Sequence, residues 1–359
     1  MKPGRDLVAR ALRDPEALVS WTLVEWDLLV RQARHAQLLA RICWLLHERG
    51  LLQQVPDQPR AHLQAARVVS DKQDRAIRWE VNRIHHALTR VGIPVILLKG
   101  AAYVMAELPS ARGRLFSDVD ILVPKEKLPE VEAALMLHGW AATLHDAYDQ
   151  RYYRTWMHEL PPMTHVKRGT AIDVHHAILP ETARLRPDPV KLRAAAQAVP
   201  GAQDLQVLAP VDMILHSATH LFSDGELEHG LRDLSDLDSL LRHFSTEAGF
   251  WQHLVDRAQE LDLARPLYYA LRYTRHILHT PVPNSALEMS RAGRPFWMLA
   301  SFMDALFLRA LRPDHASCDD FFTTAARTLL YLRSHWLRMP PLLLVRHLLH
   351  KALVSPKDS

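Results

Sequence analysis

Apolar positions recur along this chain first at helical spacing, then in strand-length runs, then at helical spacing again. From Leu7 to about Val91 the pattern is helical, through Trp21, Val24, Leu28 and Leu29, then Ile42, Trp44 and Leu45, and on to Ala87. Gly50, Pro56 and Pro59 break it. Beyond Gly92-Ile93-Pro94 the runs shorten. Val95 to Leu98 and Val119 to Val123 have the length and β-branched content of buried strands. Met163 to Lys167 and Thr170 to Ile178 flank Arg168-Gly169 and predict a hairpin, while Lys125 to His138 predicts a helix. After Pro200-Gly201 and Pro210 the helical spacing returns, and Pro340-Pro341 separates two last helices, Ala325 to Leu337 and Leu342 to Val354. The prediction is an α+β protein in three sections: helical 1–91, a mixed-sheet core at 92–208, and helical 209–359.

Composition narrows the class without deciding it. A chain of 359 residues with 48% hydrophobic and 23% charged content has ample material for a packed core. Its net charge of +4 suits a polyanionic nucleotide but gives no argument for a nucleic-acid partner. Cys43 and Cys318 are too few and too far apart for a disulfide framework or a zinc ribbon. With no apolar leader after Met1-Lys2-Pro3 and no run long enough to span a bilayer, the chain is expected to be soluble and cytoplasmic.

Candidate chemistry concentrates in Leu97-Leu98-Lys99-Gly100-Ala101-Ala102 and Arg114-Leu115-Phe116-Ser117-Asp118-Val119-Asp120. On a strand, Asp118 and Asp120 point to one face, about 7 Å apart along the backbone. Hard cations such as Mg²⁺ or Mn²⁺ are held by one or two carboxylates together with substrate phosphates, so this pair is a metal candidate. Gly100 has no Cβ to obstruct a triphosphate, and Lys99 and Arg114 offer charge-assisted contacts. With Ser117 beside the acids, these residues form the expected nucleotide-binding group. An Asp-x-Asp pair alone is common at a solvated strand start. The ordered succession of strand, Lys-Gly-Ala, helix, Arg-bearing loop and Ser-Asp-x-Asp sets this one apart.

With its Leu-Lys-Gly and Arg-x-x-x-Asp-x-Asp motifs, the stretch from about Ala87 to Leu241 resembles the nucleotidyltransferase fold of the DNA polymerase β superfamily, in a poorly characterised bacterial branch. The resemblance implies a small mixed sheet and a third carboxylate on a later strand. That acid is Asp173, in Thr170-Ala171-Ile172-Asp173-Val174-His175-His176; His176-Ala177 departs from the polar and aromatic residues usual there. Read by itself, the hairpin packs Ile172, Val174 and Ile178 on one face and turns Asp173 and His175 to the other, where the acid is either a ligand or simply on the wet side. The helix from Pro210 puts His216 and His220 at i, i+4, without the Glu of a zincin, and resembles the branch's Pro-x-Asp-x-x-x-His-x-x-x-His helix. Leu231 to Asp238 is similar to its Arg-x-x-x-Asp helix, in which Arg232 and Asp236 can pair.

The function these residues predict is metal-dependent transfer of NMP from an NTP, ATP being the first candidate, to a small-molecule, peptide or protein acceptor. Asp118, Asp120 and Asp173 are the catalytic and metal residues. His175, His220 and Arg232 are the acceptor candidates, facing a cleft between the core and the C-terminal helices. Two other readings stand beside it: a catalytically silent or antitoxin-like nucleotide-binding module, and a metallophosphohydrolase suggested by His145-Asp146. The basic, apolar runs Arg327 to Arg338 and Leu343 to Lys351 either pack on neighbouring helices, meet a partner helix or lie on an anionic membrane.

Overall fold

In a computed structural model that describes residues 6–143, 147–223, 225 and 227–340, the short runs assemble into one seven-stranded mixed sheet. The strands are β1 (Val95–Leu97), β2 (Asp118–Leu122), β3 (Trp140–Ala142), β4 (Met163–His165), β5 (Ala171–His175), β6 (Gln197–Val199) and β7 (Ala202–Val207). They lie in the order β3-β4-β5-β2-β1-β7-β6. The fold is α+β. Val95, Ile96 and Leu97 are all buried, as are Val119, Ile121 and Leu122, because β1 and β2 are central and covered on both faces. That is why β1 reads as an unbroken apolar run and Val119 to Val123 is interrupted only by Asp120.

β1 runs antiparallel to β2 and parallel to β7, while β2 runs parallel to β5. The predicted hairpin is present with Gly169 at φ +68°, but its strands are shorter than the apolar pattern, and Ile178 is buried beyond the end of β5. β7 escapes the pattern because it buries Leu205 and Val207 but exposes Asp204.

Helices precede and follow the sheet. Leu23–His35, Leu39–Glu48 and the 32-residue Asp57–Leu88 come before it. Pro59 does not break the last of these: it sits in the first turn, where backbone N–H groups have no intrahelical acceptor and its missing donor costs nothing. Lys99–Met105 and Leu128–Leu137 interrupt the strands, and Pro210–Ser223, Gly230–Phe244, Ala264–Leu278, Trp297–Ala310 and Thr323–Arg338 are among those that follow. One apolar core runs through the whole assembly, from Leu7 to Leu330. Gly113, at φ +66°, brings the loop before β2 against the Leu39–Glu48 helix so closely that a Cβ there would lie 2.5 Å from the Arg41 nitrogen. The N-terminal helices are thereby seated on the loop that carries Arg114.

Cys43 and Cys318 are buried and form no disulfide. Among the described residues no helix is long and apolar enough to cross a membrane. His145-Asp146 and the predicted Leu342 to Val354 helix lie outside the described residues.

Candidate active site

The sheet register gathers the acids. Asp120 of β2 is paired with Asp173 of β5, and Asp118 lies two residues before Asp120, so the three side chains share one face of adjacent parallel strands. Asp120 is buried, whereas Asp118 and Asp173 are half-buried. Ser117, exposed at the start of β2, donates its hydroxyl to Asp118 Oδ1 at 2.9 Å.

Asp120 Oδ1 receives two partners, Lys99 Nζ at 3.0 Å and His175 Nε2 at 2.9 Å. Lys99 reaches it from a strained backbone, at φ +44° where β1 gives way to the Lys99–Met105 helix. Residues with side chains rarely adopt that region, and such outliers cluster at sites where geometry is imposed by function. Burial by itself would raise the Asp120 carboxyl, but the charges and hydrogen bonds of Lys99 and His175 prevail and hold it far below the usual carboxylate range. Burial likewise opposes the charged forms of Lys99 and His175, and both are nonetheless raised by the carboxylates around them. Among the described residues Asp173 has no ion-pair partner of this kind. Burial first, then the negative charges of Asp120 and Glu159, push it up to about 7.

Glu159 and His158 are participants that the sequence pattern does not reveal. Glu159 bridges to β5 opposite His175, and its Oε2 lies 3.0 Å from His175 Nδ1. A Glu-His-Asp chain therefore runs behind Asp120, and it places His175, buried, at the back of the carboxylate rather than on an open wall. Donor atoms of His158, Glu159 and His175 all lie within 4.8 Å of one another, a nitrogen and oxygen set that suits a transition metal once His175 gives up its hydrogen bonds. Burial, above all, keeps His158 far below the normal imidazole value. Asp118, Asp120 and Asp173 instead offer the all-oxygen donor type that hard divalent cations take.

Facing the acids is a second charged group. Arg114 Nε lies 2.8 Å from Asp236 Oδ2, and Arg41 Nη2 lies 2.8 Å from Asp236 Oδ1. Arg41 also donates to Ser235 Oγ at 3.0 Å and to the Ser110 carbonyl, so one buried cluster joins the Leu39–Glu48 helix, the loop before β2 and the Gly230–Phe244 helix. The expected Arg232 to Asp236 pair is not formed. Two arginines already hold Asp236 from other elements, and Arg232 pairs instead with Asp233 at 2.9 Å and with Gln37 Oε1 at 2.6 Å. At Gly100 the space left by the missing Cβ is filled by Arg114 and the Phe116 ring, 2.6 and 2.7 Å from where a Cβ would stand. Glycine there lets the arginine lie over the helix start.

Between the two groups lies a cleft of about 160 Å³. Lys99, Gly100, Ser117, Asp118 and Asp120 line one side, and Arg114, held by Asp236, lines the other with Ser217, His220, Arg232, Asp233 and Asp236 from the helices after the sheet. Tyr103 donates to Ser217 Oγ at 3.3 Å at its floor. His216 is buried by Leu98, Lys99 and Tyr103, and burial holds it far below its normal value, so it and His220 serve different surroundings.

The sequence model of a family described as an uncharacterised nucleotidyltransferase matches residues 22–279. The chain belongs to that family. No curated protein and no solved structure matches it. The family match extends well to both sides of Ala87 to Leu241, over the N-terminal helices and the turn between them that supply Arg41 and Gln37, and over the Ala264–Leu278 helix. The flanking helices are thus part of what the family model spans, in keeping with Arg41 bracing Asp236 of the cleft wall.

Proposed function

We propose that the protein transfers a nucleoside monophosphate from an NTP to an acceptor nucleophile, with Mg²⁺ or Mn²⁺ held by Asp118, Asp120 and Asp173. The observation that carries this reading is the parallel β2/β5 register, which sets Asp120 beside Asp173 with Asp118 on the same face and Lys99 and Arg114 at the edge. The same reading assigns the chain to the DNA polymerase β-like superfamily.

A divalent cation bound there lowers the pKa of an acceptor hydroxyl and stabilises charge on the phosphates. The chain's own residues do the rest. Lys99 exchanges Asp120 for a phosphate oxygen, Arg114 neutralises the triphosphate, and Ser117 keeps Asp118 oriented. Glu159 and His175 fix the Asp120 carboxylate from behind, a positioning role in place of acceptor contact. His220 and Arg232, on the far wall, meet the acceptor, which then approaches in line with the leaving pyrophosphate.

The test uses the full chain with Mg²⁺, cell extract as acceptor source, and each of ATP, CTP, GTP and UTP labelled at the α-phosphate. Label on one acceptor with matching pyrophosphate release is the expected result. Label appearing only after γ-labelling, as free phosphate, overturns transfer in favour of hydrolysis. NTP binding with no turnover against any acceptor source points to a silent module.

A further inference from the structure

A second cavity, of about 490 Å³, opens among the C-terminal helices. It shares the Pro210–Ser223 helix with the cleft: Ser217 and His220 line the cleft, and Phe222 and Ser223 line the cavity. Its interior is apolar, built from Phe222, Tyr269, Leu299, Met303 and Leu306. The apolar lining continues to solvent, since Phe302, Leu329 and Trp336 are 49%, 43% and 45% exposed. A volume of this size is that of a site for a small organic ligand.

Three arginines, Arg184, Arg265 and Arg333, line the same cavity, with no Asp or Glu among the lining residues. None of the three forms an ion pair with a described residue. Arg184 lies over the Trp336 ring at 4.4 Å, and Arg333 donates to the Phe222 carbonyl at 2.8 Å while its guanidinium stands 5.7 Å from the Tyr269 ring. Arg265 Nε is buried and has no hydrogen-bond partner among the described residues. Burial, and after it the nearby charge of Arg265, pulls Arg333 below the usual arginine value, despite the aromatic hydroxyls beside it. Buried donors without acceptors, and like charges without a counterion, are costly unless a ligand supplies what is missing. The missing group is an anion. A peptide segment fits poorly, because the only polar side chains its N–H and C=O groups would find besides the arginines are Ser223, Tyr269 and Trp336, too few for a run of backbone groups.

We propose that this cavity binds an amphipathic anion, an alkyl chain ending in a carboxylate or a phosphate, with the head group at Arg184 and Arg265 and the chain among Phe222, Met303 and Leu306. The site stands independently of nucleotidyl transfer at the cleft.

Calorimetric titration of the full chain with dodecanoate, dodecyl phosphate and dodecanol, each below its micelle concentration, tests it. One-to-one saturable binding of an anionic probe is expected, with dodecanol at least about tenfold weaker, since a charge-assisted contact is worth roughly that factor. Arg184→Gln with Arg265→Gln, which keep a polar side chain at each position without the charge, should weaken the anion about tenfold and leave dodecanol unchanged; Met303→Trp, which fills the cavity, should abolish both. Sedimentation with phosphatidylglycerol vesicles separates the sources: association that dodecyl phosphate competes away assigns the head group of a bilayer lipid, and its absence with free probe bound assigns a soluble amphiphile. No saturable binding, equal affinity for dodecanol, or vesicle association that dodecyl phosphate leaves intact overturns the proposal.

Discussion

Two charged groups face each other across the cleft, and they are unbalanced in opposite directions. On the sheet side, four carboxylates, Asp118, Asp120, Asp173 and Glu159, stand against the ammonium of Lys99 and the imidazole of His175. On the helix side, Arg41, Arg114 and Arg232 outnumber Asp233 and Asp236. The second group is also a joint: Asp236 is nearly inaccessible, both its oxygens are engaged, and its two partners come from two other elements. The first group is not closed in that way, because Asp173 is left among like charges. A protein interior holds surplus charge only where it is paired or where something arrives to balance it. Surplus acid facing surplus arginine is the layout that a metal-bound triphosphate completes on the proposed reading.

The comparison breaks most readily at Asp120. Asp120→Asn should lower nucleotidyl transfer by about 1,000-fold, measured as pyrophosphate release, because it removes the most buried charge of the proposed cation-binding acids. Turnover within tenfold of the parent would remove the sheet-side group from the chemistry. Asp236→Ala tests the joint instead: leaving Arg41 and Arg114 buried without a counterion should cost about 3–5 kcal/mol in urea denaturation. A loss under about 1 kcal/mol would make that cluster incidental.

Asp173→Asn carries a smaller effect of opposite sign. With one repelling charge gone, the metal-free protein should melt about 2 °C higher, while the rise in Tm produced by Mg²⁺ and nucleotide in the parent should vanish. If the variant keeps the full metal-dependent rise, Asp173 is not a ligand. The smallest expected change is that of Arg232→Ala, where the acceptor KM should rise about three- to tenfold and the NTP KM stay within about twofold. Equal losses for both substrates would move Arg232 from the acceptor side to the nucleotide side.

Much of the sheet side was legible in the chain itself. β1 and β2 read as strands because burial on both faces leaves them mostly apolar, the β4/β5 hairpin reads as one from its alternation about a Gly turn, and the two-residue period alone puts Asp118 with Asp120 and Asp173 with His175. β7 was not legible, since a half-exposed strand with Asp204 and Gln206 carries no continuous apolar signal. His158 and Glu159 were equally silent: a single β-bridge to His175 positions them, and no periodicity encodes it.

What the sequence by itself determined was therefore local: which segments are helix or strand, and which acids share a strand face, because both follow from backbone geometry over a few residues. Which groups meet was decided only by the tertiary structure. Asp236 could have closed an i, i+4 pair with Arg232, yet it lies between Arg41 and Arg114, nearly 200 and more than 120 residues away in the chain. A buried carboxylate held by two cations from separate elements outweighs one exchangeable pair along a helix, which is worth only about 0.2–0.5 kcal/mol.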